Sequence, residues 1–118
     1  MPTAVVVDDH AGFRRTVRRL LERDGCRVVG EAADAESAAR LLQRVRPSFV
    51  LLDVTLPDRD GFHLLRDLRA HGDHTPVVLI SSRDRAEYAE ALRWADAAGF
   101  FLKSELTAAA LAAVLDRP

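Results

Sequence analysis

Short, unbroken apolar runs alternate along this chain with longer stretches of helical period. Ala4 to Val7, Phe49 to Leu52 and Val77 to Ile80 are apolar at every position. Runs of that length and β-branched content read as strands buried on both faces. Cys26 to Ala32, centred on Val28 and Val29, reads as a further strand. Gly99 opens a short one over Phe100 to Leu102. Between them the period changes. Phe13, Val17, Leu20 and Leu21 share one helical face and Gly25 closes that helix. Ala38, Leu41, Leu42 and Val45 do the same within Asp34 to Arg46, and Pro47 stops it. Asp60 is an N-cap for a helix over Phe62 to Leu68. Asp84 to about Asp96 and Thr107 to Asp116 complete the set.

Strand and helix therefore alternate five times. Fully apolar strands separated by helices require a parallel sheet covered on both faces, an α/β fold. Right-handed crossovers make it a doubly wound (βα)5 sheet of five strands. No linker, repeat or low-complexity stretch interrupts the order, so residues 1–118 read as one domain.

Composition changes this picture little. Hydrophobic residues are 48% and charged residues 30%, the balance of a soluble globular domain. No apolar run is long enough to span a bilayer, and no basic region precedes the first apolar run as in a secretory leader. Cys26 stands alone and cannot form an internal disulfide, which fits a cytoplasmic protein. The net charge of −1 gives no electrostatic reason for direct nucleic-acid binding. Lys103 is the one lysine; the other sixteen of the 17 basic residues are arginine.

The chemistry lies at the strand ends, because ligands of open α/β sheets bind outside the carboxyl edge. Strand one ends in Asp8-Asp9, strand three in Asp53, strand four in Ser81-Ser82 and strand five in Lys103. Three carboxylates brought together repel, and burying them unpaired is costly. A hard divalent cation with oxygen ligands, Mg²⁺, neutralises such a set. His10 adjoins the pair but reads as a residue that starts the helix, since imidazole is a poor Mg²⁺ ligand. Asp53, single and central, is the candidate nucleophile toward phosphorus. Metal and Lys103 would then offset charge on the phosphoryl oxygens, and Ser81 could donate a hydrogen bond to them.

These residues resemble the receiver domain of two-component response regulators, along Thr3 to Leu115. The resemblance is carried by Asp8-Asp9, by Asp53 followed by Leu56-Pro57 and Asp60-Gly61, by Ser81, and by Lys103. Asp8-Asp9-His10 and Gly99-Phe100-Phe101-Leu102-Lys103 look most like NarL-type regulators. The resemblance implies a flavodoxin-like strand order, 2-1-3-4-5, and Mg²⁺ held by Asp8, Asp9, Asp53 and the carbonyl of Thr55. It implies Asp53 as phospho-acceptor, fed by the phosphohistidine of a sensor kinase or phosphotransfer protein, with the receiver supplying the catalytic groups for its own phosphorylation and dephosphorylation. Ser81, Lys103 and Phe100 would be the phosphate-binding and switch residues. Thr55 and Arg83 would tune phosphate lifetime. The output would be a changed surface on helix four, strand five and helix five, acting through an effector, most simply a DNA-binding domain absent from this chain, or through a homodimer. The alternative is a single-domain or phosphorylation-independent interaction module.

Three further expectations follow. Asp96 stands where the family commonly has glycine, which would ask an aspartate for left-handed backbone. Trp94 is expected to pack beneath its own helix. Arg14, Arg15, Arg18, Arg19 and Arg23 form a solvated face of helix one, or its docking face for the phosphodonor. A haloacid-dehalogenase-type phosphatase would need an aspartate where Thr55 stands, a flavodoxin-type carrier a Ser/Thr/Gly cradle after strand one, and a P-loop hydrolase the motif GxxxxGK[ST]; none is present.

Overall fold

The computed structural model describes residues 1–115. The expected Asp116 end of the last helix lies outside them. Five strands, β1 (Thr3–Val7), β2 (Arg27–Ala32), β3 (Phe49–Asp53), β4 (Val77–Ser81) and β5 (Gly99–Leu102), form one sheet in the order β2-β1-β3-β4-β5. All four pairings are parallel. Cys26 falls just outside β2.

The period of two along each strand divides the core. Val5, Val7, Leu52 and Leu79 face one side, where α2 (Ala35–Arg44) and α3 (Gly61–Ala70) supply Ala38, Leu42, Leu64 and Leu65. Ala4, Val6, Leu51 and Ile80 face the other, under Val17 and Leu21 of α1 (Ala11–Arg23) and Leu111 of α5 (Ala108–Leu115). Each of the valine, leucine and isoleucine side chains among them, fully buried, contributes about 1.5–3 kcal/mol.

Helix ends follow the polar residues. Asp34 caps α2 by accepting from the Ser37 amide at 2.7 Å, and Asp60 caps α3 through the His63 amide at 2.8 Å. Gly25 leaves α1 at φ +85°, a conformation glycine adopts without a Cβ clash.

The fourth helix departs from expectation. A 3-10 turn, Arg85–Tyr88, precedes a six-residue α4, Ala89–Trp94. Tyr88 leaves helical backbone at φ −115°, ψ 16° while its ring packs between Phe62 and Phe100, with centroids 5.8 and 6.0 Å away. Ala95 then ends α4 in extended backbone. No non-glycine residue among those described has positive φ. Asp96 is thus spared the left-handed region and instead accepts from Arg69 Nε at 3.0 Å. Trp94 does not pack beneath its helix: it is 77% exposed. It edges an apolar groove of about 390 Å³ between α3 and α4, lined also by Phe62, Leu65 and Ala91.

Candidate functional site at the carboxyl edge of the sheet

Sheet register brings the polar strand ends together. Asp53 lies opposite Ile80, the neighbour of Ser81, and Ser81 lies opposite Leu102, the neighbour of Lys103. β1 ends one residue before Asp8, whose amide extends the ladder to the Ala32 carbonyl at 3.0 Å.

Asp8 is fully buried. Its Oδ1 accepts from the His10 amide at 2.8 Å, a short local turn that aspartate favours. Its carbonyl accepts from Arg14 Nη1 at 2.6 Å, and Arg14 in turn pairs with Glu31 at 3.0 Å. Arg14 is therefore no mere solvated arginine; it anchors the acidic turn to α1 and β2. Asp9 is more exposed, and His10 caps α1 with its backbone extended.

Asp53 is buried at the end of β3, and its Oδ1 accepts from the Thr55 amide at 3.0 Å. Lys103 Nζ reaches both acids, at 2.6 Å from Asp8 Oδ2 and 3.1 Å from Asp53 Oδ2. The same ammonium lies 4.7 Å from the centre of the Phe13 ring, a cation–π contact that holds it over the acids. Burial pushes the Asp53 carboxyl above its ordinary value, and the charge of Asp8 adds to this against the Thr55 amide and Lys103. For Lys103, burial alone would lower the ammonium, but the Asp8 and Asp53 carboxylates outweigh it and raise it.

The residue set fits a hard cation. Asp8, Asp9, His10 and Asp53 each offer a ligand atom, and these atoms all lie within 4.8 Å of one another. Asp8 Oδ2 is buried and pairs with the Lys103 ammonium. One ammonium does not balance three gathered carboxylates, Asp8, Asp9 and Asp53, and a divalent cation would offset the remaining negative charge.

The other candidates lie around this centre. Ser81 is buried at the end of β4, and its hydroxyl accepts from the Arg83 amide at 2.9 Å. Phe100 is buried on the α2–α3 face, against Tyr88 and 5.4 Å beneath the Arg85 guanidinium. Thr55 and Arg83 are both exposed. They line a groove of about 710 Å³ that continues along Glu87, Tyr88 and Trp94. Arg83 pairs with Glu87 at 3.6 Å.

The loop after Asp53 is fixed at several points. The Gly61 amide donates to the Val54 carbonyl at 2.6 Å, and a Cβ at Gly61 would collide with the Asp53 backbone oxygen. Asp58 reaches across to α2 and accepts from the Ala35 and Glu36 amides at 2.9 and 3.0 Å.

Comparison with known proteins agrees with this geometry. The family model for the response regulator receiver domain matches residues 4–115. The chain belongs to that family. The receiver is 38% identical over 100 residues to the nitrate/nitrite response regulator protein NarP of Escherichia coli, covering 84% of this chain and 46% of NarP. It superposes on the signal receiver domain of NarL from Mycobacterium tuberculosis with a TM-score of 0.84 and 38% identity, over 98% of both chains. A two-component response regulator of the LuxR family from Aurantimonas gives 0.86 at 32% identity, covering 99% of this chain and 87% of that one. The NarL-type resemblance and the strand order 2-1-3-4-5 therefore hold. The receiver spans about half the length of the curated relatives it matches. None of its described helices is long and apolar enough to cross a membrane.

Proposed function

We propose that Asp53 accepts a phosphoryl group from the phosphohistidine of a sensor kinase or a phosphotransfer protein, in the cytoplasm and with Mg²⁺. The observation that carries this reading is the single ammonium of Lys103 bridging two buried carboxylates, Asp8 and Asp53, with a third carboxylate, Asp9, beside them. Asp8, Asp9, Asp53 and the Thr55 carbonyl would hold the Mg²⁺, which supplies positive charge to the transferring oxygens.

The chain's own groups perform the rest. The Thr55 amide orients the Asp53 carboxylate, leaving its Oδ2 toward Lys103. An Asp53 oxygen forms the new O–P bond as the donor's N–P bond breaks, and that electron pair stays on the donor's imidazole nitrogen. Lys103 turns its ammonium to the phosphoryl oxygens, where it is worth most in a dry site. The receiver thereby supplies the groups for both its phosphorylation and its dephosphorylation, with Thr55 and Arg83 at the rim where an attacking water would pass. The Ser81 hydroxyl exchanges the Arg83 amide for a phosphoryl oxygen. That movement draws the β4–α4 segment inward and re-seats the Tyr88–Phe100 contact, which changes the α4–β5–α5 surface offered to an effector, a DNA-binding one for transcription control, or to a second receiver. Near-complete switching needs about 5.5 kcal/mol of preference for the phosphorylated arrangement.

The test is phosphorylation by a small-molecule phosphodonor with Mg²⁺. Asp53→Asn is expected to reduce labelling to background; undiminished labelling would overturn the assignment. Sedimentation with and without beryllofluoride checks dimer formation, and an unchanged coefficient would remove the homodimer from the output.

A further inference from the structure

The Lys103 ammonium has a third neighbour, and it is not an acid. Its Nζ pairs with Asp8 Oδ2 at 2.6 Å and Asp53 Oδ2 at 3.1 Å, and lies 4.7 Å from the centre of the Phe13 ring. The lysine side chain is only 13% exposed, so protein groups replace most of its water. Phe13 packs partly buried against the core with Leu20, next to Val17 and Leu21. That packing needs only apolar bulk; a ring face over an ammonium adds attraction through the ring quadrupole. The ring is carried on a clamped turn of α1. Arg14, the next residue, donates to the Asp8 carbonyl at 2.6 Å and to Glu31 at 3.0 Å, and Val17 and Leu21 are buried one and two turns on.

The kind of neighbour matters. An ammonium is a point charge with three N–H donors. A carboxylate or hydroxyl in the place of Phe13 would engage one donor and fix the ammonium's rotation. A ring face attracts the charge with little demand on where the N–H groups point. We propose that Phe13 is a positioning residue for phosphoryl transfer: its ring holds the Lys103 ammonium at the acids and leaves the N–H donors free to turn from Asp8 and Asp53 to the phosphoryl oxygens. The role rests on the reading of Asp53 as phospho-acceptor, and its effect passes through Lys103.

The 118-residue chain is prepared with Phe13→Leu, with Phe13→Tyr, and with phenylalanine bearing successive ring fluorines at position 13, which weaken the ring face at nearly constant shape. Labelling of Asp53 by acetyl phosphate with Mg²⁺ is followed over time. The rate constant is expected to fall about threefold to tenfold for Phe13→Leu, to fall stepwise along the fluorine series, and to stay within about twofold for Phe13→Tyr. The Mg²⁺ concentration for half-maximal rate should not move. Lys103 is the one lysine, so carbon-13 lysine gives a single ε-methylene signal, which the ring should shield in the wild type and release in Phe13→Leu. A rate that follows side-chain size but not fluorination would make Phe13 a packing residue and overturn the proposal. So would a lysine signal indifferent to Phe13→Leu. A wild-type chain that takes no label at Asp53 would overturn the proposed function and this role together, whereas normal labelling with a flat fluorine series would remove Phe13 alone.

Discussion

Helices α2 and α4 cover the same face of the sheet, yet they are held there by different means. α2 has ten residues, three of them buried, and carboxylates from two segments at its N-terminus, Asp34 from within and Asp58 from the loop after Asp53. α4 has six residues, none buried and no side-chain cap. It rests on partly buried Leu92 and Ala95, with Tyr88 wedged at its start. Apolar burial and satisfied helix ends resist local opening, and their scarcity permits it. The α2 side is thus firmly held and the α4 side loosely held; under the proposed function, the first keeps the transfer groups aligned and the second carries the surface that changes.

The widest gap between the two regions should appear on truncating one leucine in each. Leu64→Ala, in the packed α3 face beside α2, is expected to cost about 2–5 kcal/mol by denaturant unfolding; Leu92→Ala, about 1 kcal/mol or less. Equal losses would break the comparison. Next in size is amide hydrogen exchange. Amides of α2 and α3 should exchange near the global unfolding free energy, and those of α4 through much cheaper local opening. Beryllofluoride is expected to raise protection in α4 and leave α2 unchanged.

Acid titration sharpens the contrast from the other side. Hydrogen bonds from Ser37 hold the Asp34 carboxyl below its ordinary value, and backbone amides of Ala35 and Glu36 do the same for Asp58. Groups with lowered folded pKa values add stability above their unfolded values, and lose it as pH falls through the lowered ones. Asp58→Asn should therefore flatten the acid limb of the stability profile, with hydrogen-exchange losses confined to the start of α2. The smallest effect is Trp94→Ser. Its ring is 77% exposed, so thermal stability should move by less than about 0.5 kcal/mol.

The sheet and its reactive edge were legible because their signals are local. Four-residue apolar runs mark strands, and the residue after each run must lie at the carboxyl edge. Asp8, Asp53, Ser81 and Lys103 follow from that rule alone. What stayed hidden depends on partners far apart in the chain. Nothing near Asp58 points to amides 23 and 22 positions earlier. Arg14 shares its helical period with solvated arginines, and only the fold turns it onto the Asp8 carbonyl. The break before α4 was invisible for the same reason: Arg85 to Trp94 is alanine- and glutamate-rich and favours helix throughout. The ring of Tyr88, lodged between Phe62 and Phe100, comes from tertiary packing that propensity does not report. His10 was read as a helix start, which it is, but that role also sets its ring against Asp8 and Asp9.

Gly61 carries a consequence for any genetic survey of this receiver. A methyl group there would occupy the space of the Asp53 backbone oxygen. Selection for signalling would therefore guard position 61 about as strictly as position 53. Under the proposed function, the first is intolerant for want of room and the second for want of the oxygen that would take the phosphoryl group. Loss-of-function scores alone would merge the two, and only a folding assay would separate the scaffold from the chemistry.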